Sequence, residues 1–153
     1  MLRWVSGSKE KLFEAVVDTS VRRLVDAVPI DVDDLPGYAG RLFDYYIAHP
    51  ELLRLLTWAR LESRPDTPLN PGLTASYRRK IADVEEAMEA GELERSFEPT
   101  ELLALIESLT MTWVSTMPEL VALDLEKPFS EANVARYREV VVEAARRVSA
   151  APD

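Results

Sequence analysis

Apolar side chains return every three or four residues along almost the whole chain, and prolines fall where that rhythm breaks. This pairing of a 3.6-residue period with proline stops is the strongest constraint on what the chain can become. The first periodic segment covers about residues 9–28, where Phe13, Val17, Val21, Leu24 and Val28 share a face that Leu12 and Val16 widen. Ser8 is its expected cap, Glu10 suits its positive end, and Pro29 ends it. A second segment covers 35–48, with Asp34 as cap and Leu35, Ala39, Leu42, Phe43, Tyr46 and Ile47 in its stripe. His49-Pro50 stops it, because a residue before proline avoids the helical region, and Pro50 then opens a third helix over 51–64. A fourth covers 73–90, with Leu73, Tyr77, Ile81, Val84 and Met88 aligned and Gly91 as terminator. A fifth, over 99–117, aligns Leu102, Leu105, Ile106, Leu109, Trp113 and Met117. The sixth follows Ser130 to about residue 149 and aligns Val134, Tyr137, Val141, Ala144 and Val148. PELVALDLE, between them, can carry one more helical turn. No strand-like alternation stands out, so the expected fold is all-α, an antiparallel bundle of about six helices.

At 153 residues the chain is one domain with enough length for a real core. It has no Cys and a single His, His49, so thiolate sites and His-based metal or catalytic clusters have no ligands to draw on. The run Asp31, Asp33, Asp34 lacks the glycine and distal glutamate of a calcium loop and reads as cap and connector. No nucleophile–base–orienter set, Glu-x-x-His pair or phosphate-cradling glycine loop can be assembled. The chain is therefore read as neither an enzyme nor a cofactor protein. A net charge of −9 opposes binding to a phosphate backbone. No apolar run approaches a membrane span, and the expected setting is cytoplasmic.

Several side chains have two readings. Tyr46, Trp58, Tyr77, Met111, Trp113 and Met117 would suit a pocket for a small apolar or amphipathic ligand, with Thr110, Thr112 and Arg60 as polar anchors. The same residues at helical spacing also serve as plain core. His49 reads first as a helix-end cap and second as a switch residue. Arg22-Arg23, Arg78-Arg79-Lys80 and Arg146-Arg147 read as solvated faces. The last two helices carry wide apolar stripes, and Ala144 and Ala145 permit close helix approach. Leu105, Leu109, Val134, Tyr137, Val141, Ala144, Ala145 and Val148 are the candidate subunit interface, the other reading being that both helices simply close the monomer.

Three stretches together resemble the tetracycline-repressor-type (TetR) regulators. Leu2-Arg3-Trp4-Val5 is similar to the end of that family's recognition helix, and Gly7-Ser8-Lys9-Glu10-Lys11-Leu12-Phe13 to the start of the following helix. Ile47-Ala48-His49-Pro50-Glu51-Leu52 with Trp58-Ala59-Arg60-Leu61-Glu62 resembles the break between two sensor helices. Ala90-Gly91-Glu92-Leu93, Glu98-Pro99-Thr100-Glu101-Leu102-Leu103 and Trp113 resemble the entry to the penultimate helix. The resemblance implies an effector bound between helices within residues 35–117, and a homodimer through the last two helices. It also implies that residues 1–7 are the remnant of a DNA-binding unit and that 8–153 form the ligand-binding and dimerisation domain. Without a recognition helix this chain alone should show no specific DNA binding. An alternative expectation is an autonomous interaction protein that heterodimerises with a full-length regulator.

Overall fold

Several helices begin where a polar side chain takes up one of their first free N–H groups. The computed structural model describes residues 2–63, 70–115, 127 and 129–151, and among them it has six helices. These are α1 (Leu2–Ala27), α2 (Leu35–Ala48), α3 (Pro50–Glu62), α4 (Pro71–Glu89), α5 (Pro99–Ser115) and α6 (Glu131–Ser149). The Asp34 carboxylate caps α2 at the Gly37 N–H, 2.8 Å away. Asn70 caps α4 at Leu73, and Ser130 caps α6 at Asn133. Proline occupies the first turn of α2, α3 and α4, where its missing N–H costs nothing. Helix α4 is closed by Gly91, the single positive-φ residue (+80°) among the described residues. There the Gly91 N–H reaches the Met88 carbonyl and the Glu92 N–H reaches Ala87, a paired C-terminal closure.

The amphipathic stripes meet around α2. Leu35, Tyr38, Ala39, Leu42, Phe43 and Tyr46 are all buried, and α2 packs against α6, α5 and α3. Leu102, Ile106 and Trp113 of α5, Val84, Ala87 and Met88 of α4, and Val141 and Ala145 of α6 complete the core. Each such leucine, isoleucine, valine or methionine contributes about 1.5–3 kcal/mol on burial. Gly40 is where α6 comes closest to α2. A β-carbon there would lie 3.0 Å from Val142 Cγ2 and 3.0 Å from the Arg138 guanidinium. Beside it, Arg138 Nε donates to both carboxylate oxygens of Asp44, at 2.9 and 2.8 Å. The α4–α5 connector is tied to the end of α6 by an isolated antiparallel bridge between Leu93 and Ala150.

Three expectations are corrected. Helix α1 starts at Leu2 and runs unbroken through Gly7, so Ser8 lies inside it rather than capping it. One interior glycine costs a helix only about 1 kcal/mol and does not break it. Leu12 and Val16 do not widen a buried face; both are exposed, because α1 packs mainly on α3 and α4 and, of its expected stripe, Leu24 and Val28 are the fully buried positions. The fourth helix begins two residues earlier than its apolar stripe, since Asn70 and Pro71 form a ready-made start. The possible turn in PELVALDLE, and Met117, lie outside the described residues.

Candidate functional site

Helices α2, α4 and α5 converge on a polar cluster set within the apolar bundle. Tyr38 comes from the inner face of α2. Tyr77 and Lys80 are one turn apart on α4, so they share a face. Glu107 lies on α5 between Leu103 and Thr110, positions that are both buried. Lys80 Nζ is 2.9 Å from Glu107 Oε1 and donates to the Tyr38 hydroxyl at 2.9 Å. Tyr77 donates to Glu107 Oε2 at 2.9 Å, and Tyr38 donates to Oε1 at 3.4 Å. The ammonium also lies 5.3 Å from the ring centroid of Tyr77, while it meets Tyr38 at the hydroxyl edge. The ion pair is largely withdrawn from solvent, with side-chain exposures of 11% for Lys80 and 20% for Glu107.

Burial sets the electrostatics of the phenols. It pushes the Tyr38 and Tyr77 hydroxyls well above the usual phenol range, and the Glu107 charge pushes them further. Tyr46, also buried and within reach of the Glu107 charge, is pushed up to about 12. All three phenols therefore stay protonated at neutral pH. Tyr38 and Tyr77 can donate only as neutral groups, and both hold the Glu107 carboxylate in place. Thr110 Oγ1 donates to the Glu107 carbonyl at 2.6 Å, which spends its hydroxyl within α5. The cluster offers a carboxylate, an ammonium, two phenols and an aromatic face. These are groups of the kind that orient a ligand, and none of them is an activated nucleophile.

The candidate pocket residues are dispersed. Tyr77 joins the cluster and Tyr46 is buried close by on α2, within the same electrostatic field. Trp113 is buried in the core, stacked on Tyr137 with ring centroids 3.2 Å apart, and its Nε1 has no partner among the described residues. Met111 packs partly buried against the core. Trp58 is on the surface, edge-on to Phe13, with its Nε1 donating to Glu62. Arg60 is exposed. Lys80 is not part of a solvated face with Arg78 and Arg79: it lies on the 3–4 spacing that links Tyr77 to Val84, and so points into the bundle. Tyr38, Lys80 and Glu107 were missed as site residues, and charges falling on an apolar stripe were the available signal. His49 acts as a helix-end cap, its Nδ1 donating to the Tyr45 carbonyl at 2.9 Å with the ring stacked on Tyr45.

Two concavities lie elsewhere. A groove of about 220 Å³ between α1 and α4 is lined by Val17, Val21, Val25 and Leu73, with Arg22 and Arg79 at its edges. A shallow shelf on the outer face of α5 is formed by Phe97, Glu101, Ala104, Leu105 and Ser108. Of the candidate interface residues, Leu105 is exposed on that shelf, while Leu109, Val134, Tyr137, Ala144 and Val148 are half-buried. Val141 and Ala145 are covered within the chain itself. Among the described residues no helix is long and apolar enough to cross a membrane, and no group of three acidic or imidazole side chains could hold a metal ion.

Comparison with known proteins finds relatives along most of the chain. Residues 34–147 match the model of the tetracyclin repressor-like C-terminal domain. The HTH-type transcriptional repressor SCO4008 of Streptomyces coelicolor is 32% identical over 143 residues, covering 93% of this chain and 73% of that protein. The crystal structure of SCO4942 from Streptomyces coelicolor, assigned as a transcriptional regulator, superposes with a TM-score of 0.79 at 34% identity. It covers 94% of this chain and 75% of that one.

Proposed function

Because this chain belongs to the tetracyclin repressor-like C-terminal domain family, a family of transcriptional regulators rather than enzymes, we propose that it is a regulator's effector-sensing and dimerisation domain. The observation that carries the sensing role is the buried Lys80–Glu107 pair held by Tyr38 and Tyr77 where α2, α4 and α5 meet. A bundle with no catalytic task has little use for such a pair, since a well-packed apolar core is as stable or more so. A binding site does need a few fixed polar groups in apolar surroundings. The effector is a small apolar or amphipathic molecule that enters between these helices. Helix α4 packs on both α5 and α1, so a ligand that displaces α4 is felt along α1. An effector with higher affinity for one arrangement of the protomers than another shifts their populations, and repression with them.

The dimer forms through the outward faces of α5 and α6, where Leu105 and Val140 are exposed large apolar side chains. In a two-fold arrangement each face meets its own copy. This role implies a cytoplasmic setting.

The direct experiment is a thermal-shift screen of the 153-residue chain against small amphipathic compounds, repeated on Glu107→Gln. Compounds that stabilise the parent and lose at least half of that effect in the variant support the reading. Equal stabilisation of both proteins by every hit would sink it.

A further inference from the structure

We propose that the cluster of Tyr38, Tyr77 and Glu107 recognises an organic ammonium cation, and that the Lys80 ammonium fills that site as a tethered stand-in. The proposal rests on the reading of this cluster as the effector site and adds the charge class of the effector. The groups around the Lys80 ammonium are the Tyr77 ring at 5.3 Å, a carboxylate oxygen at 2.9 Å and the Tyr38 phenol oxygen at 2.9 Å. An aromatic ring beside a carboxylate is a setting in which ammonium ligands are held.

The two halves of the ion pair are not equally replaceable. Glu107 is fixed by three donors, since Tyr77, Tyr38 and Lys80 all reach its oxygens. Both phenols keep their protons at neutral pH, so this hold persists. Lys80 is a point charge on a flexible four-carbon stem, with the margin of exposure needed to swing outward. When it does, a second cation can take its place with the local charge balance unchanged. An anion would have to break the same pair and then face Glu107. Arg41, whose charge also reaches Tyr38, is engaged by Asp31 and Asp34 at 3.6 and 3.7 Å. The net charge of −9 further favours cations near the surface. A quaternary ammonium is also less strongly hydrated than a lysine head group, so its transfer into the cluster costs less.

Three probes of one shape separate charge from size: choline, its neutral carbon isostere 3,3-dimethylbutan-1-ol, and 3,3-dimethylbutanoate. Binding is measured by calorimetry on the full chain, with circular dichroism to confirm each variant's fold. Choline should bind at least about fivefold more tightly than the neutral isostere. Lys80→Met, which removes the internal competitor, should tighten choline binding about tenfold, and Glu107→Gln should weaken it about tenfold. If Lys80→Met does not fold, Tyr77→Leu decides, because Tyr77 is a partly exposed position: choline affinity should fall about fivefold. Equal binding of choline and the alcohol overturns the proposal, as does unchanged choline affinity in folded Lys80→Met. Preference for the butanoate overturns the cation assignment while leaving the cluster as an effector site. Failure of all three probes overturns it too, and the thermal-shift screen then decides separately whether the cluster is an effector site.

Discussion

Lys80 of α4 and Glu107 of α5 are 27 residues apart in sequence, and their charged atoms meet at 2.9 Å between Tyr38 and Tyr77. That contact ties two helices together through groups that an apolar bundle would normally leave in water. Lys80→Met leaves Glu107 without its cation, and the cost should be about 2 kcal/mol, below that of a fully buried pair because both groups retain some solvent. Urea unfolding measures it. The double variant Lys80→Met/Glu107→Leu should recover at least half of the loss, because no unpaired charge remains.

The tyrosines predict the alkaline limit of stability. A phenol in the unfolded chain ionises near pH 10, whereas burial holds Tyr46 up to about 12 and Tyr38 and Tyr77 above their usual range as well. Below pH 10 both folded and unfolded chains keep these protons, and the contribution is fully present. Above it the unfolded chain releases protons that the folded chain retains, so stability falls, by up to about 1.4 kcal/mol per pH unit for the well-buried Tyr46 and by less for Tyr77, which is partly exposed to solvent. For Tyr46 the loss is complete once pH passes about 12. Tyr46→Phe should flatten the decline between pH 10 and 12, as read from urea midpoints across that range. An unchanged slope would place the Tyr46 hydroxyl in water.

Gly91 gives a backbone test free of packing. A β-carbon there would meet nothing within 4 Å, yet φ is +80°. Gly91→Ala should therefore cost about 1–2 kcal/mol from the left-handed conformation alone, lowering the urea midpoint with no change in the slope of unfolding.

The interface reading turns on Leu105, which is exposed on the outer face of α5. Leu105→Glu should leave the protomer's own stability within about 0.5 kcal/mol, yet convert a dimer to a monomer in light scattering at micromolar concentration. A parent chain that is already monomeric at high micromolar concentration would remove the dimer from the account.

Much of this architecture is written in short-range chemistry. Asp34, Ser130, His49-Pro50 and Gly91 mark helix ends because each acts on its own backbone, and each behaves in the structure as its chemistry requires. The start of α1 is different: Gly7 and Ser8 look like a boundary, yet the helix continues through them. The site was harder to read because it is made by tertiary convergence. Trp58 and Trp113 are both aromatic residues on helical stripes, but one lies at the surface against Phe13 and the other is sealed in the core on Tyr137. Only the packing of α3 at the margin and α5 at the centre separates them. Lys80 sits in a run of three basic residues, and only its spacing to Tyr77 and Val84 distinguishes it from its neighbours.

Amide hydrogen exchange, with and without a compound that stabilises the chain, tests the central claim most directly. An effector held between α2, α4 and α5 should add protection within residues 35–46, 76–84 and 103–113, where those helices surround Lys80 and Glu107. Protection confined to the groove between α1 and α4, or to the outer face of α5, would contradict it.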